Sequence, residues 1–241
     1  MSPDNRRHRG AHPADQSLFN ETELPKLCQA TVQLSWLLTH GYKMASSLKL
    51  VGDRHGLIQR QRLAVSRAAC SDQNLEQRRR ARIPIDHLKN QDVIIDGFNL
   101  IITIEAALSQ GPLLACRDGC IRDLSSVHGS YRSVEETERA INLIGEALHE
   151  FGPSGVQWVL DRPVSNSGRL ASRIAEIASG RNWTWEVEVV FNPDSEIVAS
   201  ESVAITSDSS ILDSVQRWAD LKSYLVTQII SNTWLIDLRT L

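Results

Sequence analysis

Aromatic residues are scarce, 5% of 241 positions although six are tryptophan, and no apolar run approaches the ~18 to 20 residues a membrane-spanning helix requires. No membrane contact is expected. Met1 to Asp15 is charged and carries His and Pro, unlike a signal peptide, so a cytoplasmic location is expected. Only four cysteines are present, Cys28, Cys70, Cys116 and Cys120, and no second Cys or His pair completes a zinc site with the last two. Reduced thiols are the expectation. Neither sign of charge prevails: Lys plus Arg is 26 against Asp plus Glu 29, a formal charge of -3. No global basic field draws nucleic acid, and any such contact needs a local patch. The glycine cradles G-x-G-x-x-G and G-x-x-x-x-G-K-[ST] are both missing, which excludes ordinary dinucleotide and P-loop nucleotide binding. No period of 20 to 50 residues recurs, which excludes repeat architectures.

What remains is ordinary globular usage, 41% hydrophobic and 23% charged, in a chain long enough for one or two domains. Residues 1–16 are almost devoid of apolar side chains and read as a disordered tail. Over 17–72, Leu24, Leu27, Cys28, Leu34, Leu37 and Leu38, and later Leu57, Leu63, Ala64 and Ala68, follow helical spacing, predicting a small all-α domain of three or four short helices. Residues 73–91, with Arg78, Arg79, Arg80 and Arg82 followed by Pro84, read as a basic linker.

Over 92–241 apolar strands alternate with helices, the signature of a mostly parallel sheet covered by helices. Strands are predicted at Val93–Ile95, Val156–Leu160, Trp185–Phe191 and Val203–Thr206, with Trp234–Leu238 as a last strand. Helices are predicted at Leu100–Leu108, Val134–Phe151, Gly168–Ser179 and Leu221–Ile230.

Three of these strands end in an acid: Val-Ile-Ile-Asp96, Val-Leu-Asp161 and Ala-Ile-Thr-Ser-Asp208. Ligands of open parallel sheets bind beyond the carboxyl ends of strands, so the three carboxylates can converge on one crevice. Clustered there they repel one another unless a divalent cation or shared proton neutralises them, and hard oxygen ligands suit Mg²⁺ or Mn²⁺. That arrangement suits metal-assisted attack of water on a phosphodiester. Each Asp is equally suited to capping the helix or turn that follows its strand, and both readings stand.

Asp96-Gly-Phe-Asn99 with its following apolar helix, and TSDSSILD from Thr206 to Asp213, resemble the first and last acidic motifs of PIN-like and NYN-type metal-dependent ribonucleases. LKLVGDRHGLIQRQRLAVSRAACSD, VIIDGFNLIITIEAAL, RDGCIRDLSSVHGSYR and LDRPVSNSGRLA are similar to a prokaryotic pairing of domain of unknown function 434 with domain of unknown function 5616, over about residues 43 to 240. The first resemblance implies a three-layer PIN-like α/β domain. In it Asp96 would be the primary metal ligand, Asn99 would brace its loop, Asp208 would be the late ligand and Asp161 the mid-chain one. Ser209 and Ser210 stand where a second acid of the last motif often sits, with Asp213 one turn on as a substitute ligand. A further helix-borne acid is implied, and Glu105, Asp118, Asp123 and Glu135 are the candidates.

Ser165, Ser167 and Arg169 precede an apolar helix, where backbone N–H groups and a guanidinium can hold a phosphate or simply cap. The long segment Cys116–Arg132 adds Arg122 and Arg132 for phosphate, Tyr131 for base stacking and His128 as a general-acid candidate. Arg54, Arg60, Arg62 and Arg67 form a basic helical face, either guiding substrate or simply solvated. The expected function is a Mg²⁺- or Mn²⁺-dependent phosphodiesterase acting on RNA or another phosphodiester. The alternatives are a non-catalytic RNA- or nucleotide-binding module and a small-molecule phosphohydrolase.

Overall fold

The computed structural model describes residues 8–125, 129 and 131–239. Five helices come first: α1 (Asp15–Leu18), α2 (Leu24–Thr39), α3 (Met44–Arg54), α4 (Gln59–Ala68) and α5 (Asp72–Ala81). A 3₁₀ turn (Ile85–Leu88) leads to β1 (Asp92–Asp96) and α6 (Gly97–Leu108), then to β2 (Pro112–Ala115), β3 (Ile121–Asp123) and α7 (Thr137–Phe151). There follow β4 (Gly155–Asp161), α8 (Ser167–Gly180), β5 (Trp185–Val190), α9 (Pro193–Ala199), β6 (Val203–Ile205) and α10 (Ser209–Leu212). The chain ends with α11 (Leu221–Tyr224), a π-helical turn (Leu225–Ile229) and β7 (Trp234–Asp237).

Val93, Ile94 and Ile95 are all buried, so β1 must be covered on both faces, as central strands of parallel sheets are. It pairs in parallel with β4 on one side and β6 on the other, and β5 adds in parallel beyond β4, giving the order β5-β4-β1-β6. Successive side chains of a strand point to opposite faces. Val93, Ile95, Trp158 and Leu160 join the core under α6, α7 and α8, while Ile94 and Val159 pack with Ile197, Ile211, Leu212 and Trp218 on the other face. The sheet therefore lies between two helical layers.

α6 is apolar on nearly every side and is correspondingly buried, packing against β1 and β4 on one side and β2 and β3 on the other. Short β2 and β3, which the hydrophobic pattern does not announce, pair antiparallel. The last strand forms where expected but joins β2 in this second, three-stranded sheet rather than the large one. That small sheet is roofed by the N-terminal helices: Leu114, Cys116, Leu124, Ile236 and Leu238 share one core with Leu27, Cys28, Leu34, Val51 and Val65.

Two readings of the segments flanking the helical region need correcting. Residues 8–16, read as part of a disordered tail, are packed: Arg9 is buried with its Nε 2.7 Å from Glu105, and Asp15, fully buried, is paired with Arg60. The stretch read as a basic linker begins as α5, up to Ala81, and continues through the 3₁₀ turn Ile85–Leu88. Ser71 accepts from Asn74 N as the α5 cap, and Arg78 near the other end of that helix is buried, 3% exposed. A run of arginines signals a solvated segment only when no buried carboxylate waits for one of them, and here Asp118 does.

Candidate active site

The order β5-β4-β1-β6 starts in the middle, runs outward through β4 and β5, and returns to the other side of β1 with β6. Strand order reverses between β1 and β6, and the crevice beyond their carboxyl ends is where open α/β sheets bind ligands. A cleft of about 460 Å³ opens there. Asp96, Asn99, Asp161, Asp194, Ser207 and Asp208 are among its lining residues, facing Arg67, Arg122 and Asp123.

The local sequence explains why the first acid stands where it does. Gly97 lets β1 turn into α6 tight against β4, since a Cβ there would lie 2.6 Å from Leu160 Cδ2 and 3.1 Å from the Val159 carbonyl. Asp96 then caps α6, accepting from Asn99 N at 3.4 Å, and its other oxygen accepts from Thr206 Oγ1 at 2.9 Å. Thr206 Oγ1 in turn accepts from Asp208 N at 3.0 Å, so one hydroxyl ties the two acidic motifs together. Asn99 Oδ1 accepts from Ser207 N at 2.9 Å and from Lys222 Nζ at 2.7 Å, bracing the end of β6 against the start of α6. Asp208 caps α10 through Oδ1, accepting from Ser210 N at 2.8 Å and Ile211 N at 3.4 Å. Capping and convergence thus coexist at Asp96 and Asp208.

Electrostatically the cleft is short of positive charge. Burial pushes the Asp96 carboxyl up to about 6; the Thr206 bond and the Lys222 charge draw it down, while Asp208 adds to the rise. Asp194 is likewise raised, by burial first and then by Asp208 and Asp161. Lys222 is buried, with Nζ also 2.8 Å from the Asn99 carbonyl and 2.7 Å from Ser207 Oγ; burial brings it down to about 8 against the pull of Asp123 and Asp96. The donor set is all oxygen and fits a hard cation. Among the described residues, however, no three Asp, Glu, His or Cys side chains are gathered to hold an ion between them. Mg²⁺ is usually bound through one or two carboxylates with water and substrate phosphate, and of the cleft acids Asp96 and Asp208 are the pair linked through one hydroxyl.

Of the four candidates for a further acid, Asp123 lines the cleft, its Oδ2 accepting from Thr103 Oγ1 at 2.6 Å and its Oδ1 lying 3.6 Å from Arg67. Glu105 is in the core with Arg9, Tyr131 and Thr137, and Glu135 lies 3.9 Å from His8. Asp118 is clasped by Arg78 and Arg122, each at 2.6 Å. Asp213, read as a substitute ligand, is drawn to α5 instead, with Oδ1 2.7 Å from Arg78 Nε and Oδ2 accepting from Asn74, and is not a cleft residue.

The phosphate candidates divide in the same way. Arg122 reaches the cleft wall, but its guanidinium already serves Asp118 and the Ser207 carbonyl. Ser165, Ser167, Arg169 and Arg132 do not line the cleft. The Ser165 N–H donates to the Gly129 carbonyl, Ser167 Oγ to the Val164 carbonyl and Asn166 Nδ2 to the Tyr131 carbonyl, so this loop fastens a neighbouring segment. Tyr131, considered for base stacking, is fully buried with its hydroxyl on Glu105. His128 lies outside the described residues.

Three contributors escaped the sequence reading of the site. Arg67, read only as part of a basic face, reaches the cleft from α4, donating to the Asp123 and Ser125 carbonyls. Asp194 stands behind Pro193 four residues past β5, where the rule that strands end in acids would have found it had the loop been included. Lys222 is the lone charge in the apolar run from Leu221 to Ile230 apart from its flanking Asp220, an oddity that signals a buried partner.

A family model described as a domain of unknown function (DUF5616) matches residues 85–224, and one described as a protein of unknown function (DUF434) matches residues 26–80. An uncharacterized protein of Methanocaldococcus jannaschii, MJ0935, is 33% identical over 186 residues, covering 77% of this chain and 88% of that protein. No solved structure matches the chain significantly. No helix among the described residues is long and apolar enough to cross a membrane. The match over residues 85–224, more than half of the chain and spanning β1 to β6, with the helical match ahead of it, places the chain in the DUF5616 family, preceded by a DUF434 segment.

Proposed function

We propose that the chain is a PIN-like, Mg²⁺- or Mn²⁺-dependent phosphodiesterase acting on RNA. The observation that carries this reading is the cleft at the reversal point between β1 and β6, where Asp96 and Asp208 are tied through Thr206 and their negative charge is left partly uncompensated. When bound, such an ion lowers the pKa of a coordinated water and offsets charge on phosphate oxygens. Asp96 and Asp208 would hold it. Asn99 and Lys222 keep those two carboxylates in register by fixing the end of β6. Arg67, 28% exposed at the cleft wall, donates from its two terminal nitrogens to the Asp123 and Ser125 carbonyls and would offer its remaining N–H donors to a phosphate.

Asp-to-Asn replacement separates the two duties of these acids, because Asn caps a helix as well as Asp does but carries no charge. Purified wild type, Asp96→Asn and Asp208→Asn are incubated with labelled RNA, single-stranded DNA and a phosphodiester reporter, in Mn²⁺ or EDTA, and products are followed by gel. Metal-dependent products from wild type alone are expected. Equal turnover by the folded variants would sink the proposal.

A second reading, a non-catalytic RNA- or nucleotide-binding module, is favoured by the commitment of Asp208 Oδ1 to α10 and by the dispersal of the other acids. It predicts saturable RNA retention without products and with little dependence on divalent metal.

A further inference from the structure

At the β4–β5 side of the cleft the chain exposes a large aromatic ring. Phe191, the residue after β5, is 72% exposed, the most open large hydrophobic side chain among the described residues. The Arg162 guanidinium lies over it, its carbon 4.8 Å from the ring centroid. Neither residue is loosely placed. The Arg162 N–H donates to the Val190 carbonyl at 2.7 Å, so the turn after β4 is clipped to the last residue of β5, and Asp161 pairs with Val190 in the strand register. Asp161, immediately before Arg162, lines the cleft, and so do Pro193 and Asp194, which follow Phe191 closely. The ring and its cation therefore stand at the rim of the acidic crevice. Phe191 follows β5, two strand spacings from β1, on the order of 10 Å, and Arg162 follows β4, one spacing away.

We infer that Phe191 and Arg162 form a stacking platform for a nucleobase of the strand whose phosphate occupies the Asp96–Asp208 end of the cleft. Bases have apolar faces that stack on phenyl rings and guanidinium planes alike, and the contact is tolerant of sequence. Arg162 adds a positive charge beside Asp161 and Asp194, where a bare carboxylate wall would repel a polyanion. A base can reach this ring only when lifted out of a helix, so the platform selects a nucleotide that is already unpaired. This rests on the reading of the cleft as a phosphodiester site.

The test measures binding and cleavage separately. Fluorescence anisotropy of labelled short oligouridylate, oligothymidylate and duplex RNA is followed with the full chain in EDTA, for wild type, Phe191→Ala, Phe191→Trp and Arg162→Ala. Phe191→Ala is expected to weaken single-strand binding roughly 5- to 160-fold, the range found for lost base–aromatic stacking. Phe191→Trp is expected to restore it, and duplex affinity to stay unchanged. Because the ring is exposed, the thermal midpoint of each variant should match wild type. Single-strand binding by Phe191→Ala equal to wild type overturns the platform, and so does an equal loss for duplex or a wild type that binds no single strand. Products formed by wild type in Mn²⁺ alongside an innocuous Phe191→Ala would leave the phosphodiesterase reading standing without the platform. A Phe191→Ala binding loss in a protein that forms no products would do the reverse.

Discussion

Asp118 is a buried carboxylate and Asp96 a partly buried one, and the chain treats the two in opposite ways. Burial alone would push the Asp118 carboxyl up, but Arg122 and Arg78 outweigh it and hold it down at about 2. Asp96, less deeply buried, has weaker help against desolvation, a hydroxyl from Thr206 and the charge of Lys222, and remains raised at about 6. The first carboxylate belongs to a closed ion network in which Arg78 also reaches Asp213 and the Ser209 carbonyl and Arg122 reaches the Ser207 carbonyl. That network locks α5 and the β2–β3 turn onto the far end of β6. The second faces an open cleft. A network whose charges are all paired is architecture, whereas carboxylates kept short of partners at the reversal point of a sheet leave negative charge uncompensated, the feature on which the proposed site rests.

The sharpest way to break that contrast is Asp118→Ala, which leaves two buried guanidiniums without their shared partner. Removing one member of a buried ion network costs about 3–5 kcal/mol, and a loss of that size in urea unfolding with an unchanged slope is expected. A loss below about 1 kcal/mol would mean that the network does not hold α5 in place.

Asp96→Asn should move stability the other way. The folded carboxyl keeps its proton up to about pH 6, whereas an unfolded one releases it near its ordinary value of 3.8, so wild type loses stability as pH rises through that window. The Asn variant keeps the α6 cap and avoids the cost, and should be about 1–3 kcal/mol more stable than wild type above pH 7, the gap closing below pH 4. Asp118 contributes with the opposite sign: its share is present above pH 4 and is lost as pH falls toward 2. A wild-type excess of stability over Asp96→Asn at neutral pH would remove the idea that the cleft is strained by its own charge.

A smaller effect is expected from Lys222→Met. Asn99 Oδ1 keeps its bond from Ser207 N, so stability should fall by only about 1 kcal/mol. Asp96 loses its nearest positive charge, and its carboxyl should titrate above about 6, followed by NMR of the side-chain carbon. An unmoved titration would show that Lys222 acts on Asn99 and Ser207 alone.

These distinctions were only partly open to a reader of the sequence. The strands β1, β4, β5 and β6 and the helices α6, α7 and α8 announce themselves because their apolar residues are local and dense. The acids Asp96, Asp161 and Asp208 follow because strand ends are where such sheets place chemistry. β2 and β3 are too short, at four and three residues, to carry a period. The fate of Arg78 is decided by Asp118 and Asp213, 40 and 135 residues away, so composition pointed to a solvated linker. Whether an acid is locked in the interior or placed at an open cleft is likewise a property of the fold: nothing local distinguishes Asp123, at the cleft beside Arg67, from Asp118, five residues before it and locked between two arginines.

Arg169→Ala supplies the smallest expected effect and a check on where the phosphate runs. Arg169 lies in the first turn of α8, exposed, and the loop before it already donates to the Gly129, Tyr131 and Val164 carbonyls, leaving it fastened within the protein. Replacement should change stability by no more than about 0.5 kcal/mol and leave RNA affinity within twofold, whereas Arg67→Ala, at the cleft wall, should weaken it roughly tenfold. If the two variants exchanged these outcomes in the anisotropy assay, the substrate backbone would pass over α8 rather than between α4 and the carboxyl ends of β1 and β6. The contrast between paired and bare carboxylates would then concern folding alone.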